Sequence, residues 1–356
     1  MNSQKTKLDF HDLRVKSATI TNINSRSEIN PYYQHKDGRF FLPIFTAPMD
    51  TVVNYKNVGI FESNKIHAIN PRGDKLPFWN LGAEFRFRAV SLDEFIDEFL
   101  KTNNGKKRNP IQNNAYILID IANGHMKKLI DTAKTAKEIH GKKLTLMIGN
   151  IANPATYAIF AQVGVDFCRC GIGNGSACLT TKQTTIGYPM ASLIQECREI
   201  KVAKNYSTKI VADGGMKDYS DIILALALGA DYVMLGSVLN KSLESCADTY
   251  VFNRIKINQY SNFARWLLKN KFTISKKFRG MSTKEVQKKW GKVKIKTSEG
   301  ISTKQKVEYT ISKWVENLDD YLRTAMSYSN SKTLHDFIGK VETIEISDKA
   351  YDRFNK

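Results

Sequence analysis

Val165-Asp166-Phe167-Cys168-Arg169-Cys170-Gly171-Ile172-Gly173-Asn174-Gly175-Ser176-Ala177-Cys178-Leu179-Thr180-Thr181 reads as a strand running into a glycine-rich loop, and a helical pattern follows over 190–200. Glycines at alternate positions let backbone amides and carbonyls turn toward a ligand or ion, because no Cβ blocks the approach. Cys178 closes the loop, with the Thr180 hydroxyl two residues on. By residue type alone Cys178 is either a nucleophile or one more small apolar core residue.

The same alternation extends in both directions from this unit. Strand patterns recur at 43–49, 65–70, 85–91, 116–121, 144–150, 166–172, 209–213 and 231–236, the third being the weakest. Helical patterns lie at 92–100, 126–140, 154–163 and 219–228. Crossover connections of this kind build parallel sheets. Eight of them predict an α/β fold closed as a (β/α)8 TIM barrel, with an open doubly wound sheet as the alternative. In a barrel the functional residues belong at the C-terminal ends of the strands. Polar or glycine punctuation falls there: Met49-Asp50-Thr51, Asp120 to Gly124, Gly149-Asn150, the cysteine loop, Asp213-Gly214-Gly215 and Gly236-Ser237. The last two follow strands seven and eight, where barrels commonly hold a phosphate; tight turns alone would also use glycine.

The chain has 356 residues, 42% of them hydrophobic, enough for a sizeable core. Met1 to Leu8 is polar and lacks an apolar signal run, and 221–236 is too short and too interrupted by Asp231 to span a bilayer. Five cysteines without paired short spacings argue against a disulfide scaffold or zinc site and suit a reducing cytoplasm. The net charge of +19 is scattered, without an RNA-binding signature or aromatic–basic repeat. It fits anionic small molecules better than nucleic acid, and no membrane partner is expected.

Several motifs together resemble the IMP dehydrogenase/GMP reductase family over most of the chain: Ala47-Pro48-Met49-Asp50-Thr51-Val52, Gly149-Asn150, Gly171 to Thr180, Ala212-Asp213-Gly214-Gly215, Met234-Leu235-Gly236-Ser237 and Arg279-Gly280-Met281-Ser282. The stretch 70–116 is too short for the two CBS modules that dehydrogenases usually carry, so one catalytic barrel over 1–356 is expected. Ser25-Arg26-Ser27-Glu28, Asp120-Ile121-Ala122-Asn123-Gly124 and Gly187-Tyr188-Pro189 resemble the reductase branch. The segment 281–298 has neither Arg nor Tyr, the pair with which the dehydrogenase flap activates water.

The resemblance implies NADPH-dependent reductive deamination of GMP to IMP and ammonia. Cys178 would attack purine C2, with Thr180 and Glu299 moving protons. Met49, Ser176, Asp213, Gly214, Gly215, Gly236, Ser237, Gly280 and Met281 would bind the nucleotide. Asp120, Ala122 and Asn123 would lie near the nicotinamide. Carbonyls of Gly171, Gly173 and Cys178 would hold potassium, and a homotetramer is implied. The alternatives are an IMP dehydrogenase without CBS modules and a non-catalytic nucleotide-binding barrel. Read singly, Asp120 could be a turn cap and Glu299 a surface carboxylate.

The chain departs from the family at Ala68-Ile69-Asn70-Pro71-Arg72, at Arg88-Ala89-Val90-Ser91 and at Asn174. Arg72 or Arg88 is a candidate for a cofactor phosphate. The connection 241–277 is longer than usual, and Phe252, Ile255, Phe263, Trp266 and Leu267 at partly helical spacing predict a packed extra helix, with a partner site as the alternative. The segment 281–298 is predicted as a mobile flap.

Overall fold

The apolar runs at 115–119 and 146–148 fold as central strands of one parallel sheet, buried on both faces as such strands must be. A computed structural model describes residues 6–74, 86–101, 111, 113–281, 283–289 and 300–354, without the side chains of 287 and 289. We label its parallel strands β1 (Ile44–Thr46), β2 (Arg88–Val90), β3 (Ala115–Asp120), β4 (Leu144–Ile151), β5 (Phe167–Cys170), β6 (Lys209–Asp213) and β7 (Tyr232–Leu235). They pair in the order β1-β7-β6-β5-β4-β3-β2, so the last strand lies against the first.

The predicted second strand, 65–70, differs from a regular ladder. It bridges to β1 at His67 and to β2 at Asn70, which carries the ring round to closure. Thr46 explains the irregularity: its hydroxyl, in place of a backbone carbonyl, accepts the Ile69 N–H at 2.9 Å. The third strand begins at Arg88, shorter than the predicted 85–91. The crossovers α1 (Lys127–His140), α2 (Pro154–Val163), α3 (Met190–Ala203) and α4 (Tyr219–Leu228) lie at or within three residues of the expected positions. Gly164 and Gly229 end α2 and α4 in left-handed backbone, which glycine adopts without strain. Over 92–100 the helix begins as α, Leu92–Phe95, and then widens to a π-turn, Ile96–Leu100.

Strand alternation divides the core into two layers. Phe45, Ile69, Phe87, Tyr116, Leu118, Met147, Phe167, Val211, Tyr232 and Met234 fill the barrel, while Ile117, Ile119, Ile148 and Cys168 face the helices. The period of two then sets the rim. Above Leu118 comes Asp120, above Phe167 comes Arg169, and above Val211 comes Asp213, so these three polar side chains crown the apolar interior.

After β7 the chain builds a second, antiparallel sheet of β8 (Thr249–Val251), β9 (Ile255–Ile257), β10 (Ile274–Arg279) and β11 (Ser302–Lys306), in the order β9-β8-β10-β11. The helix α5 (Asn262–Lys269) crosses between β9 and β10. Within 241–277 the helical pattern therefore corresponds to α5 alone, and the rest of that stretch is loop and strand. Of the segment 281–298, a helix at Lys284–Lys289 is described, while Ser282 and 290–298 lie outside the described residues. The closing helix α6 (Ile311–Tyr328) buries Ile311, Trp314, Val315, Leu318, Leu322 and Met326, one face of a 3.6-residue period. Among the described residues no helix is long and apolar enough to cross a membrane.

Candidate active site

Arg169 sits 8% exposed at the barrel mouth and spans three strands. In register, Asp120 faces Gly149, and Gly149 faces Arg169. A Cβ at Gly149 would lie 2.5 Å from the Arg169 Cβ, so the glycine leaves the lane across which the guanidinium passes. The guanidinium donates to Asp120 Oδ1 at 2.5 Å and, through Nε, to Asp213 Oδ2 at 2.9 Å. Burial works against this charge, yet Asp213 and Asp120 hold the Arg169 pKa above its ordinary value. Asn150 extends the network, its amide donating at 2.6 Å to Asp213 Oδ2 and at 2.6 Å to the Gly171 carbonyl. Sequence reasoning passed over Arg169 because Cys-Arg-Cys reads as plain strand. The available signal was alternation, which sets 167 and 169 on one face.

Cys178 is half-buried, and its Sγ lies 3.3 Å from the Thr180 hydroxyl. Its amide donates to the Gly175 carbonyl at 2.9 Å, and it bridges antiparallel to Gly300. Gly300 follows Glu299 in the chain; Glu299 itself lies outside the described residues. The bridge depends on Gly280, where a Cβ would meet the Ala177 carbonyl oxygen at 2.7 Å. Gly280→Ala should therefore push the 177–178 and 280 backbones apart. Overpacking of this sort costs about 1–3 kcal/mol; thermal denaturation should show the loss, and an unchanged melting temperature would count against this contact.

Other predicted residues converge on the same mouth. A Cβ on Gly214 would lie 3.0 Å from the Gly175 amide nitrogen, so the turn after β6 touches the cysteine loop. Gly214 and Gly215 both take φ +83°, which a side chain would strain. A Cβ on Gly236 would come within 3.0 Å of the Met49 sulfur and 4.0 Å of Phe278, joining the ends of β1, β7 and β10. Ser237 opens a single helical turn, Ser176 is exposed and Met281 is half-buried beside Gly280. Gly173 packs against Thr181 at φ +82°. Ala122 and Asn123 stand exposed, and Gly124 after them abuts the Asn150 carbonyl. Arg88 is held by Glu98 at 2.5 Å on the outer side of β2, and Arg72 lies 3.8 Å from Glu94. Ser25 to Glu28 forms a capping box, with Glu28 near Lys332, so that motif has a structural account of its own.

A second buried cation braces the far side. Lys276 is fully buried in β10 and donates to the carbonyls of Leu243 and Ser245 and to the Ser245 hydroxyl, at 2.6–2.8 Å. Next to it the Cys246 thiol donates to the Asp50 carbonyl at 3.3 Å, and Asp50 accepts from Arg279 at 2.7 Å. Lys276 thus ties β10 to the 243–245 turn, while Cys246 and Arg279 tie the Asp50 turn to the same elements. Burial pushes the Lys276 pKa down to about 7, opposed by Cys246 and Glu244. Below about 7 both folded and unfolded chains carry this proton; between about 7 and 10.5 the unfolded chain binds it more tightly, so stability from this group rises with pH across that window. The melting temperature of Lys276→Met should lack that rise; equal slopes for both proteins would contradict it.

A profile described as the IMP dehydrogenase / GMP reductase domain matches residues 109–353. Along the chain there is similarity to the GMP reductase of Caenorhabditis elegans, 25% identical over 98% of this chain and 94% of the relative. The GMP reductase of Buchnera aphidicola subsp. Baizongia pistaciae is 27% identical, over 98% and 96%. GMP reductase 2 of Bos taurus is 28% identical, over 86% and 85%.

Proposed function

The chain belongs to the IMP dehydrogenase / GMP reductase family, and from that premise we propose that it reduces GMP to IMP and ammonia with NADPH. The family is one of oxidoreductases that use a nicotinamide cofactor. The observation that carries the finer reading is the Cys178 thiol 3.3 Å from the Thr180 hydroxyl, bridged at its own backbone to the residue after Glu299.

In this reading the Cys178 thiolate adds to purine C2, and the 2-amino group, protonated through Thr180 and Glu299, departs as ammonia. The cofactor supplies a hydride to C2 when bound. The C2–sulfur bond then breaks, returning the electron pair to Cys178 and releasing IMP. Asp213 holds the ribose; its bonds to Arg169 and Asn150 both fall on Oδ2, leaving Oδ1 to accept from a hydroxyl. Ser176, Gly214, Gly215, Gly236 and Ser237 take the phosphate, and Met49, Gly280 and Met281 the base. Asp120, Ala122 and Asn123 would hold the nicotinamide half, for which the exposed rim at 122–123 offers an uncovered surface. Potassium would take the carbonyls of Gly171, Gly173 and Cys178; the Gly171 carbonyl accepts from Asn150 on one lone pair and keeps a second. A homotetramer belongs to the same proposal.

Absorbance at 340 nm tests it, with Cys178→Ala as control. Loss of NADPH with GMP, accompanied by ammonia, is the expected result. Formation of NADH from IMP and NAD would replace the proposal with IMP oxidation, and silence in both assays would leave a non-catalytic barrel or an enzyme of another purine substrate.

A further inference from the structure

We propose that the unit formed by residues 249–279 docks this protein on an anionic lipid surface, through an exposed apolar edge ringed by cations. This inference stands apart from the catalytic reading and departs from the sequence-based expectation of no membrane partner. Phe252 (58% exposed), Ile255 (60%), Phe263 (57%), Trp266 (52%) and Phe272 (37%) are all open to solvent. Four of them touch in a chain: ring centroids are 6.1 Å apart for Phe252–Phe272, 5.5 Å for Phe272–Trp266 and 6.1 Å for Trp266–Phe263. The edge therefore runs from the tip of the β8–β9 hairpin to α5 as one hydrocarbon surface. Phe252 holds this position in left-handed backbone at φ 51°, a conformation bulky residues rarely adopt. Meanwhile α5 satisfies its own core with Ala264 and Leu267 and turns Phe263 and Trp266 outward.

From Thr249 to Arg279 there is no Asp or Glu, against eight Lys and Arg. Lys256 pairs with Asp248, Lys277 with Glu285 and Arg279 with Asp50. Among the described residues Arg254, Arg265, Lys269 and Lys271 make no ion pair, and they interleave the apolar residues in sequence. Aromatic rings with Lys and Arg beside them suit the headgroup region of an anionic bilayer, where rings enter the acyl boundary and cations meet lipid phosphates and carboxylates. The patch disfavours a second copy of itself, since like charges would face one another across the contact. Single-stranded nucleic acid stacks its bases on free ring faces; here the rings adjoin one another, and aliphatic Ile255 offers no face for stacking.

The test is flotation of the full-length protein with vesicles of phosphatidylcholine containing ~30 mol% phosphatidylserine, against vesicles of phosphatidylcholine alone. Roughly tenfold more protein should float with the anionic vesicles, and added salt should reduce it. The pairs Phe252→Ser with Trp266→Ser and Arg265→Glu with Lys271→Glu should each lose that preference at an unchanged melting temperature. If one pair fails to fold, the other decides. Equal flotation with both vesicles, or variants that float like wild type, would overturn the proposal. So would stronger retention by single-stranded RNA, or a dimer in ultracentrifugation that the aromatic pair dissolves.

Discussion

Cys178→Ala should lower the turnover of GMP by roughly four orders of magnitude or more, because a nucleophile that makes and breaks the covalent bond has no substitute in the site. Nucleotide affinity should change far less. Apart from Ser176, the residues proposed to hold phosphate and ribose lie on other loops, and the Cys178 backbone bonds to Gly175 and Gly300 survive removal of the thiol. Steady-state rates together with direct GMP binding check this split. A variant that keeps a tenth of the activity would remove the sulfur from the chemistry. Mass spectrometry of quenched wild-type enzyme with GMP should show a nucleotide adduct on the peptide carrying Cys178.

The second large effect is expected at Arg169, through the folded state as much as the reaction. Arg169→Met strands two buried-edge carboxylates, Asp120 and Asp213, which now share its guanidinium. Removing one partner of a buried ionic group typically costs about 3–5 kcal/mol, so the melting temperature should fall by roughly 10 °C. Arg169→Lys should recover little, since an ammonium cannot reach two carboxylates with the geometry of a planar fork. Combining Arg169→Met with Asp120→Asn and Asp213→Asn should restore much of the lost stability while leaving GMP binding weak. A triple variant as unstable as Arg169→Met would place the loss outside the stranded carboxylates, and a stability unchanged in the single variant would show that the network contributes nothing.

The parallel barrel was legible because its strands and crossover helices carry buried runs whose pattern is local: the strand Lys209–Asp213 and the helices Pro154–Val163 and Tyr219–Leu228 lie where apolar spacing and flanking glycines put them. The irregular pairing of the second strand, 65–70, and the sheet of β8 to β11 were not legible in the same way. Thr46 interrupts a ladder whose partner lies some twenty residues away, and Ile255-Lys256-Ile257 becomes a strand only by pairing with Thr249–Val251. Candidate site residues at strand ends could be read from glycine and aspartate punctuation. Alternation alone set Arg169 on the inner face, but its burial and that of Lys276 could not be read, because a long cation inside a strand is ordinarily a surface residue and its burial depends on partners far off in the chain. Arg88 shows the converse: its charge drew it toward the cofactor on paper, but alternation with Phe87 and Ala89 turns it to Glu98 outside the barrel.

The empty lane at Gly149 has an evolutionary corollary. Because one guanidinium crosses it to hold two strand ends, a change tuned to either end is felt at the other, and neither can drift alone. Diversification of this scaffold is thereby displaced upward, into the loops above the Arg169 crossing, where substitutions can be tried one at a time.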